Sequence, residues 1–110
     1  MLVDDNQDAL ESMCVLLELS GHEVRTAVDP MAALALAANF KPDIAILDIG
    51  LPGMDGYDLA GRLRAGGLAC RLFALTGYGL AEDRARSRAA GFEHHLVKPV
   101  DPGALLDALD

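Results

Sequence analysis

The sequence predicts an α/β fold built on a parallel sheet, on three observations. Strand and helix signals alternate five times along the chain. The strand candidates are short apolar runs, the pattern of parallel strands buried on both faces. The segments between them are long enough for right-handed helical crossovers, which place successive strands parallel.

The first strand is Met1-Leu2-Val3, running into Asp4-Asp5. Asn6 is placed to cap the helix that follows, whose apolar stripe is Leu10, Met13, Cys14 and Leu17. Val15, Leu16 and Leu19 make this helix broadly apolar, and Gly21 stops it. Glu23 to Ala27 reads as the second strand. Asp29-Pro30 is a cap followed by proline at the first helical position, opening an alanine-rich helix that runs to about Asn39. Pro42 blocks its continuation. The third strand, Asp43 to Leu47, ends at Asp48. Leu51 to Gly56 is loop, a helix covers Gly56 to Ala65, and Gly66-Gly67 breaks it. Leu72 to Leu75 is the fourth strand, ending at Thr76, and Gly77-Tyr78-Gly79 is a connection. Ala81 to Ala90 is a polar helix carrying Arg84, Arg86 and Arg88, closed by Gly91. The fifth strand is about His94 to Val97, ahead of Lys98-Pro99. Asp101-Pro102 repeats the cap-and-proline signal, and Ala104 to Leu109 begins a last helix.

With 110 residues, 52% of them hydrophobic, the chain reads as a single folded domain over 1–110 that needs no staples. The three-residue first strand is short against the usual ~5–6, and the last helix is brief, so both ends look trimmed from a longer chain. The net charge of −8 argues against direct nucleic-acid binding, which needs a basic face. The sequence opens on no signal-peptide pattern and holds no apolar run of ~18 residues, so the expectation is a cytoplasmic domain without membrane contact. Cys14 and Cys70 stand far apart without ligand spacing and read as core thiols in a reducing compartment.

In an open α/β sheet, ligands bind beyond the carboxyl ends of the strands. Strands one, three, four and five end in Asp4-Asp5, Asp48, Thr76 and Lys98. One sheet edge would then gather three carboxylates, a hydroxyl and an ammonium. Two like charges ~4 Å apart repel by about 4 kcal/mol at an effective dielectric of ~20, so the carboxylates want a cation. Oxygen donors without His or Cys point to Mg²⁺, with Mn²⁺ as the alternative. A carboxylate can itself attack phosphorus and form an aspartyl phosphate, while Lys98 and Thr76 suit phosphoryl oxygens. Taken singly, Asp4-Asp5 reads as a helix cap, Asp48 as a loop cap and Lys98-Pro99 as a surface turn. Together, each at a strand end in α/β order, they read as a site.

These residues carry a resemblance. Leu-Val-Asp-Asp-Asn at 2–6, Leu-Asp-Ile-Gly-Leu-Pro-Gly-Met-Asp-Gly at 47–56, Ala-Leu-Thr-Gly at 74–77 and Leu-Val-Lys-Pro at 96–99 resemble the receiver domain of two-component response regulators, over essentially the full chain. The resemblance implies a flavodoxin-like, doubly wound sheet of five parallel strands in the order 2-1-3-4-5, with helices on both faces. It implies Asp48 as phosphoacceptor, loaded from a phosphohistidine on a histidine kinase or histidine phosphotransfer protein. It places Mg²⁺ on Asp5, Asp48 and the backbone carbonyl of Gly50, with Asp4 assisting through water. Thr76 and Lys98 would bind phosphoryl oxygens, and the Lys98-Pro99 bond would be cis.

In the family, Thr76 would move inward on phosphorylation, followed by an aromatic residue three positions before the lysine. Here that position is His95, a departure that predicts a weaker or pH-sensitive switch, against the plainer reading of a tolerated surface residue. The pH idea fails if activation by a phosphate mimic is unchanged between about pH 6 and 8. His94 beside it would point to the opposite face, so the two make a poor metal pair, and His22 reads as turn surface. Gly50 and Tyr78 occupy positions that tune dephosphorylation. The face of the fourth helix, fifth strand and fifth helix is where the family dimerises or signals, and the arginine-bearing helix is either that face or a solvated charged surface. The resemblance also implies that donors dock near the first helix.

Three other readings fit these residues less well. A phosphatase or phosphotransferase of the haloacid dehalogenase type wants a second Asp two residues after the nucleophile, where this chain has Gly50. A pseudo-receiver used only as an interaction module has lost an acidic or acceptor residue, and here all are kept. A nucleotide-binding flavodoxin-like protein needs a glycine-rich loop after the first strand, and none is there. The wording around 74–79 and 94–102 is most similar to receivers attached to hybrid sensor kinases.

Overall fold

A computed structural model describes residues 1–51, 53–77, 88–98 and 100–109. The elements are β1 (Leu2–Val3), α1 (Gln7–Leu19), β2 (Thr26–Ala27), α2 (Pro30–Asn39), β3 (Ile44–Asp48), α3 (Gly56–Ala65), β4 (Arg71–Thr76), β5 (Phe92–Val97) and α4 (Pro102–Leu109). The five strands form one parallel sheet in the order β2-β1-β3-β4-β5. Tyr78, the expected helix over 81–90 up to residue 87, and Pro99 with its expected cis bond lie outside the described residues.

Successive strand residues point to opposite faces of the sheet, and the core divides accordingly. Leu2, Ile46, Phe73 and Leu75 cluster with Leu10 and Leu17 of α1 and Leu105 of α4. Val3, Ala45, Leu47, Leu72 and Ala74 cluster on the other side with Ala33 and Ala37 of α2 and Leu59, Ala60 and Leu63 of α3. The register puts Leu2 beside Ile46 and Ile46 beside Phe73, so each face is a continuous apolar row. Both faces are covered by helices, which is why the strands are apolar throughout.

The helix starts are where the side chains specify them. Asn6, Asp29 and Asp101 accept from the N–H groups of Ala9, Ala32 and Ala104 at 3.1, 2.7 and 2.9 Å. Asp55 does the same for Asp58 at 2.9 Å, capping α3. Each cap satisfies an amide that the helix itself cannot.

Three boundaries differ from expectation by two residues or more. β2 is only Thr26–Ala27, because its one partner, β1, offers just Leu2 and Val3 to pair with. β5 starts earlier, at Phe92, whose buried ring meets Tyr57 edge-on at 6.1 Å. An irregularity in the ladder there sets Leu72 against Phe92 but Phe73 against His94, leaving Glu93 as the extra residue. α4 begins at Pro102 rather than Ala104, since proline suits the first helical turn. Its far end is held by Arg71, whose guanidinium donates to the carbonyls of Leu109 and Ala108 at 3.3 and 3.4 Å and pairs with Glu93 at 2.8 Å.

Candidate functional site

The carboxyl edge of the sheet gathers Asp4 just beyond β1, Asp48 at the end of β3, Thr76 at the end of β4 and Lys98 just beyond β5. Asp4, Asp48 and Thr76 are 1%, 5% and 4% exposed, so the edge is a buried polar floor. Asp5, the next residue along, stays exposed at its rim. The carboxylate oxygens of Asp4, Asp5 and Asp48 lie within 4.8 Å of one another.

One ammonium ties this floor together. Lys98 Nζ lies 2.8 Å from Asp4 Oδ2 and 3.1 Å from Asp48 Oδ2. The Lys98 backbone N–H donates to the Thr76 carbonyl at 2.7 Å, so the same residue fastens the ends of β4 and β5. The remaining carboxylate oxygens are held by backbone. Asn6 N–H donates to Asp4 Oδ1 and Gly50 N–H to Asp48 Oδ1, both at 3.0 Å. Gly56 lets α3 start hard against the acceptor strand: a Cβ there would stand 2.7 Å from the Asp48 carbonyl oxygen.

The two buried acids differ. Burial pushes the Asp4 carboxyl up, but the Lys98 ammonium and the Asn6 N–H outweigh it and hold it below its ordinary value. Burial also pushes Asp48 up; the Gly50 N–H and Lys98 oppose this, the Asp4 charge adds to it, and the net is a raised value. Burial pulls Lys98 down, yet its two carboxylate partners raise it above the ordinary lysine range, so it stays an ammonium.

Among the described residues, three carboxylates and one ammonium leave an excess of negative charge at the edge. The donors are all hard oxygens, which fits Mg²⁺ or Mn²⁺ and no soft metal. The structure thus brings together Asp4, Asp5, Asp48 and Lys98, and sets Thr76 one residue beyond the Asp48–Leu75 register pair. Gly50 meets Asp48 through its N–H, and a Cβ at residue 50 would stand 3.7 Å from Asp48 Oδ1. His95 is half-buried on β5 beside Ala74, not on open surface, and His94 packs edge-on against Phe73 at 5.0 Å. The sequence reading missed the amides of Asn6 and Gly50 as carboxylate donors, because backbone donors leave no trace in residue type.

The sequence pattern of the response regulator receiver domain matches residues 1–110. Transcriptional regulatory protein PrrA of Mycobacterium bovis is 39% identical over 99 residues, covering 90% of this chain and 42% of PrrA. Virulence sensor protein BvgS of Bordetella pertussis is 35% identical over 117 residues, covering 100% of this chain and 10% of BvgS. The chain therefore spans less than half the length of either relative. Among solved structures, chemotaxis protein CheY4 of Vibrio cholerae superposes with a TM-score of 0.93 at 31% identity, covering 98% of this chain and 92% of that one.

Proposed function

The chain belongs to the response regulator receiver domains of two-component systems, and on that footing we propose that Asp48 is its phosphoacceptor and Lys98 the residue that holds the arriving phosphoryl group. The observation that carries this is the Lys98 ammonium set between Asp4 and Asp48, with the other Asp48 oxygen fixed by the Gly50 N–H. Receiver domains partner with histidine kinases, and the donor proposed here is a phosphohistidine on such a kinase or on a histidine phosphotransfer protein. An Asp48 oxygen attacks phosphorus; the new O–P bond forms as the donor's N–P bond breaks, and that electron pair returns to the imidazole nitrogen. Lys98 pairs with a phosphoryl oxygen and the Thr76 hydroxyl donates to another, placing charge and hydrogen bonds where the transferring group needs them. Loading and later hydrolysis by water, which returns inorganic phosphate and the free carboxylate, are carried out within this domain, without a separate catalytic protein.

Asp5, Asp48 and the Gly50 carbonyl would hold Mg²⁺, with Asp4 assisting through water; when bound, the ion neutralises the developing phosphoryl charge. The switch proposed for the loaded state is inward movement of Thr76 followed by His95. Dimerisation or output is proposed for the face of β5 and the last helix, together with the expected fourth helix, which lies mostly outside the described residues. Among the described residues no helix is long and apolar enough to cross a membrane.

The test is intact mass after incubation with acetyl phosphate and Mg²⁺, beside Asp48→Asn. One added phosphoryl group that needs Mg²⁺ and vanishes in the variant supports the assignment. Uptake that survives in Asp48→Asn places the acceptor elsewhere and ends it.

A further inference from the structure

Along α3, Asp58, Gly61, Arg62 and Ala65 recur at helical spacing and are all exposed, while Leu59, Ala60 and Leu63 are buried in the core. A shallow groove of about 490 Å³ runs beside them, lined also by Met54 and the buried Tyr57. It shares no lining residue with the Asp48 site, nor with β5 and the last helix.

Two features of this face are unexplained by the chain's own packing. The first is charge. Asp58 sits in the first turn of α3 and Arg62 in the last. They stand four apart, a spacing at which acid and base can meet on a helix. Yet among the described residues neither enters an ion pair, whereas Arg25, Arg71 and Lys98 each do. The neighbouring Arg64 is turned instead to the Gly91 carbonyl, at 3.3 Å. The second feature is Gly61. Glycine is a poor helix former, and nothing lies within 4 Å of where its Cβ would stand, so no contact in the fold asks for it. Its missing side chain leaves a spot where another backbone can come close.

We infer that α3 is a self-association face on which a second copy of this chain docks, helix against antiparallel helix, crossing at Gly61. A helix with its acid ahead of its base is complementary to its own reverse. The chain rises ~6 Å along the helix axis from Asp58 to Arg62. A two-fold axis midway between them sets each Asp58 level with the partner's Arg62, so one contact is made twice. That midpoint falls beside Gly61 on the exposed side, where the two helix axes can close to ~8 Å. The net charge of −8 makes two copies repel as wholes. Residues 56–65 hold one aspartate and two arginines, a locally positive stretch where that repulsion is relieved. Because α3 is only 10 residues long, the contact is small and the dimer weak, with a Kd on the order of 0.1 mM.

The experiment is sedimentation equilibrium of the chain up to about 1 mM, beside three variants at exposed positions. The parent is expected to dimerise, and to do so several-fold more weakly at about 500 mM salt than at about 50 mM. Asp58→Arg alone and Arg62→Asp alone should each stay monomeric, because like charges then face each other across the axis. Mixed in equal amounts the two should associate, since both contacts then join an arginine to an aspartate. Gly61→Met, whose side chain the fold has room for, should weaken the dimer at least roughly tenfold by holding the helices apart. A parent that stays monomeric, a dimer that survives either charge reversal or Gly61→Met, or a mixture that fails to associate would each overturn the inference. A dimer untouched by all three variants would place the contact on another face, such as that of β5.

Discussion

At the scale of single residues, the two buried carboxylates carry opposite signs in the stability of the fold. Asp4 has a depressed folded value, so its contribution is full above the ordinary aspartate value of about 3.9 and is lost as pH falls through the folded value. Asp48 has a raised folded value, so its contribution is full below about 3.9 and is lost as pH rises through the folded value. At neutral pH Asp48 is therefore a charge the fold tolerates at a cost. Asp48→Asn, measured in chelator by urea unfolding, should be more stable than the parent at pH 7, by on the order of 1 kcal/mol. The difference should shrink or reverse below about pH 3.9. A variant less stable at pH 7 would mean that Lys98 and the Gly50 N–H more than offset the burial of Asp48.

At the scale of elements, the contrast between two glycines of α3 is the most testable. A Cβ at Gly56 would meet the Asp48 carbonyl oxygen at 2.7 Å and Ile49 Cα at 2.9 Å, both backbone atoms that cannot swing aside. Gly56→Ala should cost about 1–3 kcal/mol and slow phosphoryl uptake, because it displaces the strand end that carries the acceptor. Gly61 lies mid-helix with nothing within 4 Å of its Cβ position, so Gly61→Ala should stabilise by about 0.5–1 kcal/mol. Urea midpoints of the two variants would check both signs. That contrast also marks what the sequence could show. Asp4, Asp5, Asp48, Thr76 and Lys98 were legible because a polar side chain ending an apolar strand is written in residue type. The helix caps at Asn6, Asp29 and Asp101 were legible for the same reason. The close approach at Gly56, the amides of Asn6 and Gly50, and the extra residue at Glu93 are backbone events with no residue signature. The Arg71 contact with Leu109 joins residues 38 positions apart, a distance no local pattern spans.

At the scale of the whole molecule, the net charge of −8 and the carboxylate-rich edge give the fold a place that could hold a divalent cation. Binding to the folded state alone stabilises it, by about 2.7 kcal/mol at a concentration one hundred times Kd. The melting temperature should therefore rise with Mg²⁺ and fall back with chelator. Asp5→Asn, at an exposed rim position, should fold normally yet lose most of that rise. An unchanged rise would remove Asp5 from the ion's ligands. The sheet itself has an uneven seam. At its centre, only Leu2 and Val3 are laddered to Ile46 and Leu47, whereas β3 and β4 pair without a break from Ile44–Arg71 to Asp48–Leu75. The first β-α-β-α unit is thus joined to the rest of the sheet by a ladder of only two residue pairs, and that is where the molecule would come apart. In native-state hydrogen exchange, amides of 1–39 should open as one unit ahead of β3 and β4. Since Asp4 sits on the near side of that seam and Asp48 and Lys98 on the far side, the ion pair between them works as a rivet across the line of fracture.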